Sequence, residues 1–193
     1  MKIATWNVNS LSVRLPQVLD WLAAQAASDS GAIDVLALQE LKMSDDKFPH
    51  AAFAEAGYHA QWFGQKTYNG VALISRSEGT EVVKNIPGFA DDMSRVIAAT
   101  YPDGQGGTVR VIGAYFPNGQ APDSDKFAYK MRWLTALRAW VQTARWSCHC
   151  WSGANASKLA TASELLKSHT ARLFTAVWIP ACTFGVSSEQ RLW

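Results

Sequence analysis

Apolar positions open this chain as a short strand, Lys2-Ile3-Ala4-Thr5-Trp6-Asn7-Val8-Asn9-Ser10, which gives way abruptly to polar residues. A second apolar run, Ile33-Asp34-Val35-Leu36-Ala37-Leu38-Gln39-Glu40, does the same. Between them Ser12-Val13-Arg14-Leu15-Pro16 starts a helix, with Pro16 tolerated in its first turn. Leu15, Val18, Leu19 and Leu22 then recur at helical spacing. Ser28 to Gly31 reads as a turn into the second strand. Strand, helix and strand joined by short connections predict a layered α/β fold.

Beyond Glu40, Pro49 to Ala56 predicts a short helix stopped by Gly57. The next segments read as antiparallel strands over Tyr58–Phe63, Val71–Arg76, Glu81–Ile86, Arg95–Tyr101 and Thr108–Phe116. Asp103-Gly104-Gln105-Gly106-Gly107 marks a hairpin between the last two. Asp125 to Val141 then predicts a helix whose stripe is Phe127, Met131, Leu134, Leu137 and Val141.

Near Thr143 the pattern changes. From Ala144 to Trp193 there is no Asp, and the only acids are Glu164 and Glu189. Cys148, Cys150 and Cys182 fall here, with Trp146, Trp151, Trp178 and Trp193. No clean period of two persists, and only Ser163 to Phe174 suggests a helix. The reading is therefore two parts, 1–143 and a tail of 144–193.

Composition narrows the class without naming a partner. A hydrophobic fraction of 48% and a charged fraction of 18% are ordinary for a globular protein. A formal charge of +2 permits a local basic patch for nucleic acid but does not argue for one. Three late cysteines are no disulfide framework. The first strand has no basic-then-apolar leader before it, and no apolar run reaches membrane-spanning length. A soluble, cytoplasmic protein is the expectation.

Ligands and catalytic groups gather at strand ends in α/β layers. Glu40, between an apolar strand and Lys42, can take Mg²⁺ there without burying an unpaired charge. The alternative is a solvated loop glutamate. Asn7 can orient a phosphate or hold Glu40 toward a metal; alternatively it closes the strand as an Asx turn. Asn69-Gly70 is first a turn signal. In Tyr115-Phe116-Pro117-Asn118-Gly119, polar groups again end a strand, and the tyrosine hydroxyl can reach a phosphate or simply stay wet. Asn118 is a DNA-binding candidate with Lys126 and Lys130, which flank Phe127 and Tyr129 and can meet a phosphodiester backbone. Such lysines are more often a solvated helix face.

In order, these stretches resemble the exonuclease III type of apurinic/apyrimidinic endonuclease, within the endonuclease/exonuclease/phosphatase superfamily. The matching segments are Lys2–Ser10, Leu38–Lys42, Asn69–Ser75, Ser94–Ala99, Tyr115–Gln120 and Lys126–Leu134, over roughly residues 1 to 142. The resemblance implies a β-sandwich flanked by helices, the DNase I-like four-layer fold. It implies a monomeric phosphodiesterase using Mg²⁺, with Mn²⁺ as substitute, that cuts duplex DNA at abasic sites and trims 3′ ends. Glu40 looks like the metal ligand, Asn7 like its partner in holding metal and phosphate, and Tyr115 like the tyrosine beside the scissile phosphate. A relative acting on phosphoinositides or sphingomyelin fits less well, because Tyr115–Gln120 and Lys126–Lys130 belong to the DNA-repair branch.

The family's later motifs, Gly-Asp-x-Asn, a further Asp and Ser-Asp-His, have no counterpart here; Gly153-Ala154-Asn155 does not match. Positioned acid–base groups contribute about 10²–10⁴-fold, and losses within one unit are not additive. The resemblance therefore predicts an incomplete fold with a sheet face left to water, and weak catalysis or none. The alternative function is an inactive remnant, at most a weak DNA binder. Two other readings of the tail are a zinc site from Cys148, His149, Cys150, His169 and Cys182, and tryptophans stacking on single-stranded nucleic acid. We hypothesise that residues from about 144 onward are out-of-frame translation or a gene-fusion artefact, given the abrupt loss of Asp and the clustered Cys and Trp. Translating the gene's other two frames tests this: a Gly-Asp-x-Asn peptide downstream supports it, and its absence from both counts against it.

Overall fold

The computed structural model describes residues 1–28, 31–143 and, as backbone alone, 174–180. The helix expected over Ser163–Phe174 and the tail's cysteine and histidine set lie outside the described residues, except that Phe174 opens a strand.

The chain begins with β1 (Ile3–Asn7), α1 (Leu11–Ala26) and β2 (Val35–Gln39), and β1 and β2 pair in parallel. Helix α1 starts at Leu11, one residue earlier than expected, so Pro16 lies beyond its first turn. The loop after β2 explains the early start: Ser10 N donates to Glu40 O at 2.8 Å and Leu11 N to Leu41 O at 3.1 Å. These bonds satisfy amides that a helix start leaves unpaired. Next come α2 (His50–Glu55), stopped by Gly57 at φ +81°, then β3 (His59–Phe63) and β4 (Val71–Ser75). This sheet has the order β1-β2-β4-β3. Every residue of β2 and β4 is buried, as central strands covered on both faces require.

The second sheet is antiparallel, in the order β5 (Thr80–Lys84), β6 (Val96–Pro102), β7 (Thr108–Tyr115), β8 (Phe174–Pro180). The glycine-rich hairpin forms between β6 and β7. Asp103 Oδ1 accepts from Gln105 N and Gly107 N at 2.7 and 2.8 Å, while Gly104 and Gly106 take positive φ. Strand β8 corrects the reading of the tail as lacking legible strands, since it pairs with β7 from Val109–Pro180 to Tyr115–Phe174.

The two sheets face each other. Val35, Ala37, Val71 and Leu73 meet Ile97, Ala99, Tyr101, Val109 and Val111 in one buried cluster. Gly113 lets the sheets close up, because a Cβ there would lie 3.2 Å from Leu73 Cδ2. Helices α1 and α2 cover the outer face of the first sheet, and α3 (Asp125–Thr143) covers that of the second. The architecture is thus two sheets flanked by helices. The inner faces pack together over the central strands, but Thr5, on the inner face of edge strand β1, stays exposed, so part of that sheet face is open to water as expected. An open groove of about 250 Å³ remains beside the edge strand β1, lined by Trp6 and Trp21 among others.

The buried face of α3 agrees with the expected stripe at Leu134, Leu137 and Val141 and differs from it elsewhere. Trp133 is fully buried and Leu137 nearly so, with Tyr129, Ala136 and Trp140 alongside, whereas Met131 is exposed. Bulk decides this: an indole buries more apolar area than a thioether chain, so the helix turns Trp133 inward. Among the described residues no helix is long and apolar enough to cross a membrane.

Candidate active site

Three sequence candidates converge although they lie far apart along the chain. Asn7 ends β1, Glu40 follows β2 and Tyr115 ends β7 on the opposing sheet. Asn7 Nδ2 donates to Glu40 Oε1 at 2.7 Å, and Tyr115 Oη donates to the same oxygen at 2.9 Å. Asn7 Oδ1 meanwhile accepts from Asn9 N at 2.9 Å, so Asn7 closes its strand and orients Glu40 at once. In this arrangement Asn7 turns its nitrogen, not its oxygen, toward the carboxylate.

The other oxygen, Oε2, faces Lys42 Nζ at 3.2 Å, and that ammonium also donates to Asn9 Oδ1. The Glu40 side chain is only 18% exposed. Burial alone pushes its carboxyl upward, but hydrogen bonds from Asn7, Tyr115 and Lys42, with the charge of Lys42, outweigh it. The net result is a carboxyl below its ordinary 4.5, ionised at neutral pH.

Backbone strain concentrates at the same place. Glu40 and Lys42 hold φ of 57° and 54°, and Asn9, Ser10, Asn69 and Gly70 are also positive. Such conformations cost about 1–3 kcal/mol each for ordinary residues and persist only where surroundings impose them. Here neighbouring loops impose them. Leu41 N donates to Gly70 O, Lys42 N to Asn69 O and Gly70 N to Ser94 O, at 3.0–3.2 Å. Asn69-Gly70 is therefore a clasp on the Glu40 loop as well as a turn. A Cβ on Gly70 would stand 2.9 Å from Leu41 Cβ, and the φ of +84° also favours glycine.

The DNA-binding candidates stand apart from this cluster. Asn118 is exposed and accepts from Gln120 N at 3.1 Å. Lys126 is exposed, and the Lys130 stem lies against Gly119. No hydrogen bond or ion pair joins these three to Glu40 among the described residues. Sequence reasoning singled out neither Lys42 nor Arg95, whose guanidinium carbon lies 5.2 Å from the Tyr115 ring centre. Both fall within matching stretches, Leu38–Lys42 and Ser94–Ala99, and that was the available signal.

The donor set can be tested against a hard divalent cation. Among the described residues no group of three or more His, Cys, Asp or Glu side chains gathers for a metal. Mg²⁺ ordinarily takes one or two protein carboxylates and completes its shell with water and phosphate oxygens. Glu40, ionised and oriented by three side chains, fits as one such ligand.

The profile of the Endonuclease/Exonuclease/phosphatase family matches residues 4–156. The exodeoxyribonuclease III of Haemophilus influenzae is 29% identical over 143 residues, covering 74% of this chain and 51% of that protein. The 3′ phosphatase NExo from Neisseria, solved bound to a product DNA hairpin, superposes with a TM-score of 0.66 at 51% identity, covering 74% of this chain and 52% of that one. An AP endonuclease from Archaeoglobus fulgidus gives a TM-score of 0.66 at 38% identity, over 75% and 52% of the two chains. The chain thus spans about half the length of these relatives.

The depressed carboxyl of Glu40 sets a sign for the pH dependence of stability. Its ionised contacts stabilise the fold above the ordinary value of 4.5 and are lost as pH falls through the lower folded value. Urea unfolding of the wild type and Glu40→Gln should therefore differ most well above 4.5 and converge toward strong acid. A difference that grows on acidification would contradict the charge balance described.

Proposed function

The chain belongs to the endonuclease/exonuclease/phosphatase family, and on that premise we propose that it carries the metal- and phosphate-binding side of a DNA phosphodiesterase. The proposed substrate is duplex DNA at abasic sites or 3′ ends, and the proposed cation is Mg²⁺, with Mn²⁺ as substitute. The observation that carries the reading is the paired donation of Asn7 and Tyr115 to one oxygen of Glu40 across the two sheets. The relatives' activities, an exodeoxyribonuclease III, a 3′ phosphatase and an AP endonuclease, lend support.

In this reading Glu40 holds the cation through its carboxylate, and Asn7 fixes the direction of that carboxylate. A bound cation supplies Lewis-acid polarisation of the phosphoryl oxygen and stabilises charge on the departing oxygen. Tyr115 presents its hydroxyl beside the scissile phosphate, shared with Glu40. Asn118, Lys126 and Lys130 contact the DNA backbone and hold its register. An abasic nucleotide suits such a site because, without a base to unstack, it leaves the duplex at small cost. The proposal also takes 1–143 as the family portion, 144–193 as a separate tail, and the working unit as a cytoplasmic monomer.

A second reading is a DNA-binding protein without incision activity, since among the described residues no group of three or more His, Cys, Asp or Glu gathers to hold a metal. Incubating the full chain with an abasic-site duplex and Mg²⁺ separates the two. The nuclease reading predicts incision that chelator removes, that Glu40→Ala abolishes, and that Asn7→Ala reduces about 10–100-fold. Folded protein that binds the duplex without cutting it, with either metal, would leave only the second reading.

A further inference from the structure

Tyr115 ends a strand, half-buried, and its hydroxyl must cross to the other sheet to reach Glu40. Its ring packs partly against the inter-sheet cluster, and one charged side chain lies against its face. Arg95, just before β6, is the cross-strand neighbour of Tyr115. Tyr115 N donates to Arg95 O at 2.7 Å, and Arg95 Nη1 donates to Tyr115 O at 3.4 Å. The guanidinium carbon stands 5.2 Å from the centre of the Tyr115 ring and 5.9 Å from that of Tyr129 on α3. Both distances fall within the range at which a cation is attracted to an aromatic face.

The far side of this stack is itself anchored. Tyr129 Oη donates to Asp91 Oδ2 at 2.8 Å, and Asp91 Oδ1 accepts from Met93 N at 3.0 Å. Asn85 Nδ2 holds the Asp91 carbonyl at 2.8 Å. Burial first, then the bond to Asp91, pushes the Tyr129 phenol up to about 12, so it stays a donor through neutral pH. Arg95 is thus held from α3 as well as by the Tyr115 backbone.

We propose that Arg95 is a positioning residue: clamped between Tyr129 and Tyr115, it holds the Tyr115 ring where its hydroxyl bonds to Glu40. Its effect on the reaction passes entirely through Tyr115, and it rests on the reading of Tyr115 and Glu40 as a functional pair. A guanidinium suits the task because it is planar, permanently charged and stacks on rings while its edge bonds a carbonyl. Lysine keeps the charge but loses the flat face, so it should restore part of the effect.

The test uses the full chain with its tyrosines labelled with ¹³C at Cζ, the Tyr115 signal being assigned by its loss in Tyr115→Phe. In Arg95→Met that signal should move toward its position in Glu40→Gln, and in Arg95→Lys it should move less. The signals of Tyr58 and Tyr101, buried elsewhere, should stay in place and report an intact fold. In parallel, Arg95→Met should lower abasic-site incision about 3–30-fold, with no further loss when added to Tyr115→Phe. An unmoved Tyr115 signal in folded Arg95→Met would overturn the proposal, as would an equal additional loss in the Tyr115→Phe background. If even the wild type fails to incise, the nuclease reading fails, and the Tyr115 signal alone decides the role of Arg95.

Discussion

One oxygen of Glu40 ties the two halves of this molecule together. Oε1 accepts from Asn7, at the end of the first sheet's edge strand, and from Tyr115, at the end of an inner strand of the second sheet. Both bonds are hydrogen bonds to an ionised acceptor, which are stronger than neutral ones. The arrangement requires the sheets to sit at a fixed offset, and the buried contact of Val35, Ala37 and Leu73 with Ile97 and Val111 provides it. Apolar packing thus sets the reach of a polar contact. In turn, that contact makes Glu40 an oriented carboxylate rather than a loop side chain with rotameric freedom.

The strain in the Glu40 loop follows from the same demand. A strand that continued straight past Gln39 would carry Glu40 away from Tyr115. Positive φ at Glu40 and Lys42 turns the chain back on itself, and the Asn69-Gly70 clasp and the start of α1 hold it there. The early start of α1 at Leu11 and the glycine at position 70 are therefore parts of the site as much as of the fold. Lys42 balances charge, keeping a partly buried carboxylate ionised.

Much of this could be read before any coordinates, for physical reasons. The strands and the Asp103–Gly107 hairpin rest on local alternation and on glycine's access to positive φ, both visible in sequence. Asn7, Glu40 and Tyr115 stand out as candidates because each interrupts an apolar run at a strand exit, and the fold brings the three side chains together. What escaped depends on tertiary choice. On α3 the stripe gives Leu134, Leu137 and Val141 correctly, while the choice of Trp133 over Met131 depends on bulk against the second sheet. Arg95 escaped because its role is a ring contact across strands, which no spacing reveals. Strand β8 escaped because seven residues of mixed apolar character show no period by themselves.

The central claim is that Glu40, oriented by Asn7 and Tyr115, is an oxygen ligand poised for a divalent cation. Titrating Mn²⁺ into the folded full chain and following the free-ion electron paramagnetic resonance signal tests it without reference to catalysis. The account predicts a site of defined stoichiometry that Glu40→Gln removes and Asn7→Ala weakens about 10–100-fold. Equal Mn²⁺ binding by wild type and Glu40→Gln would contradict it.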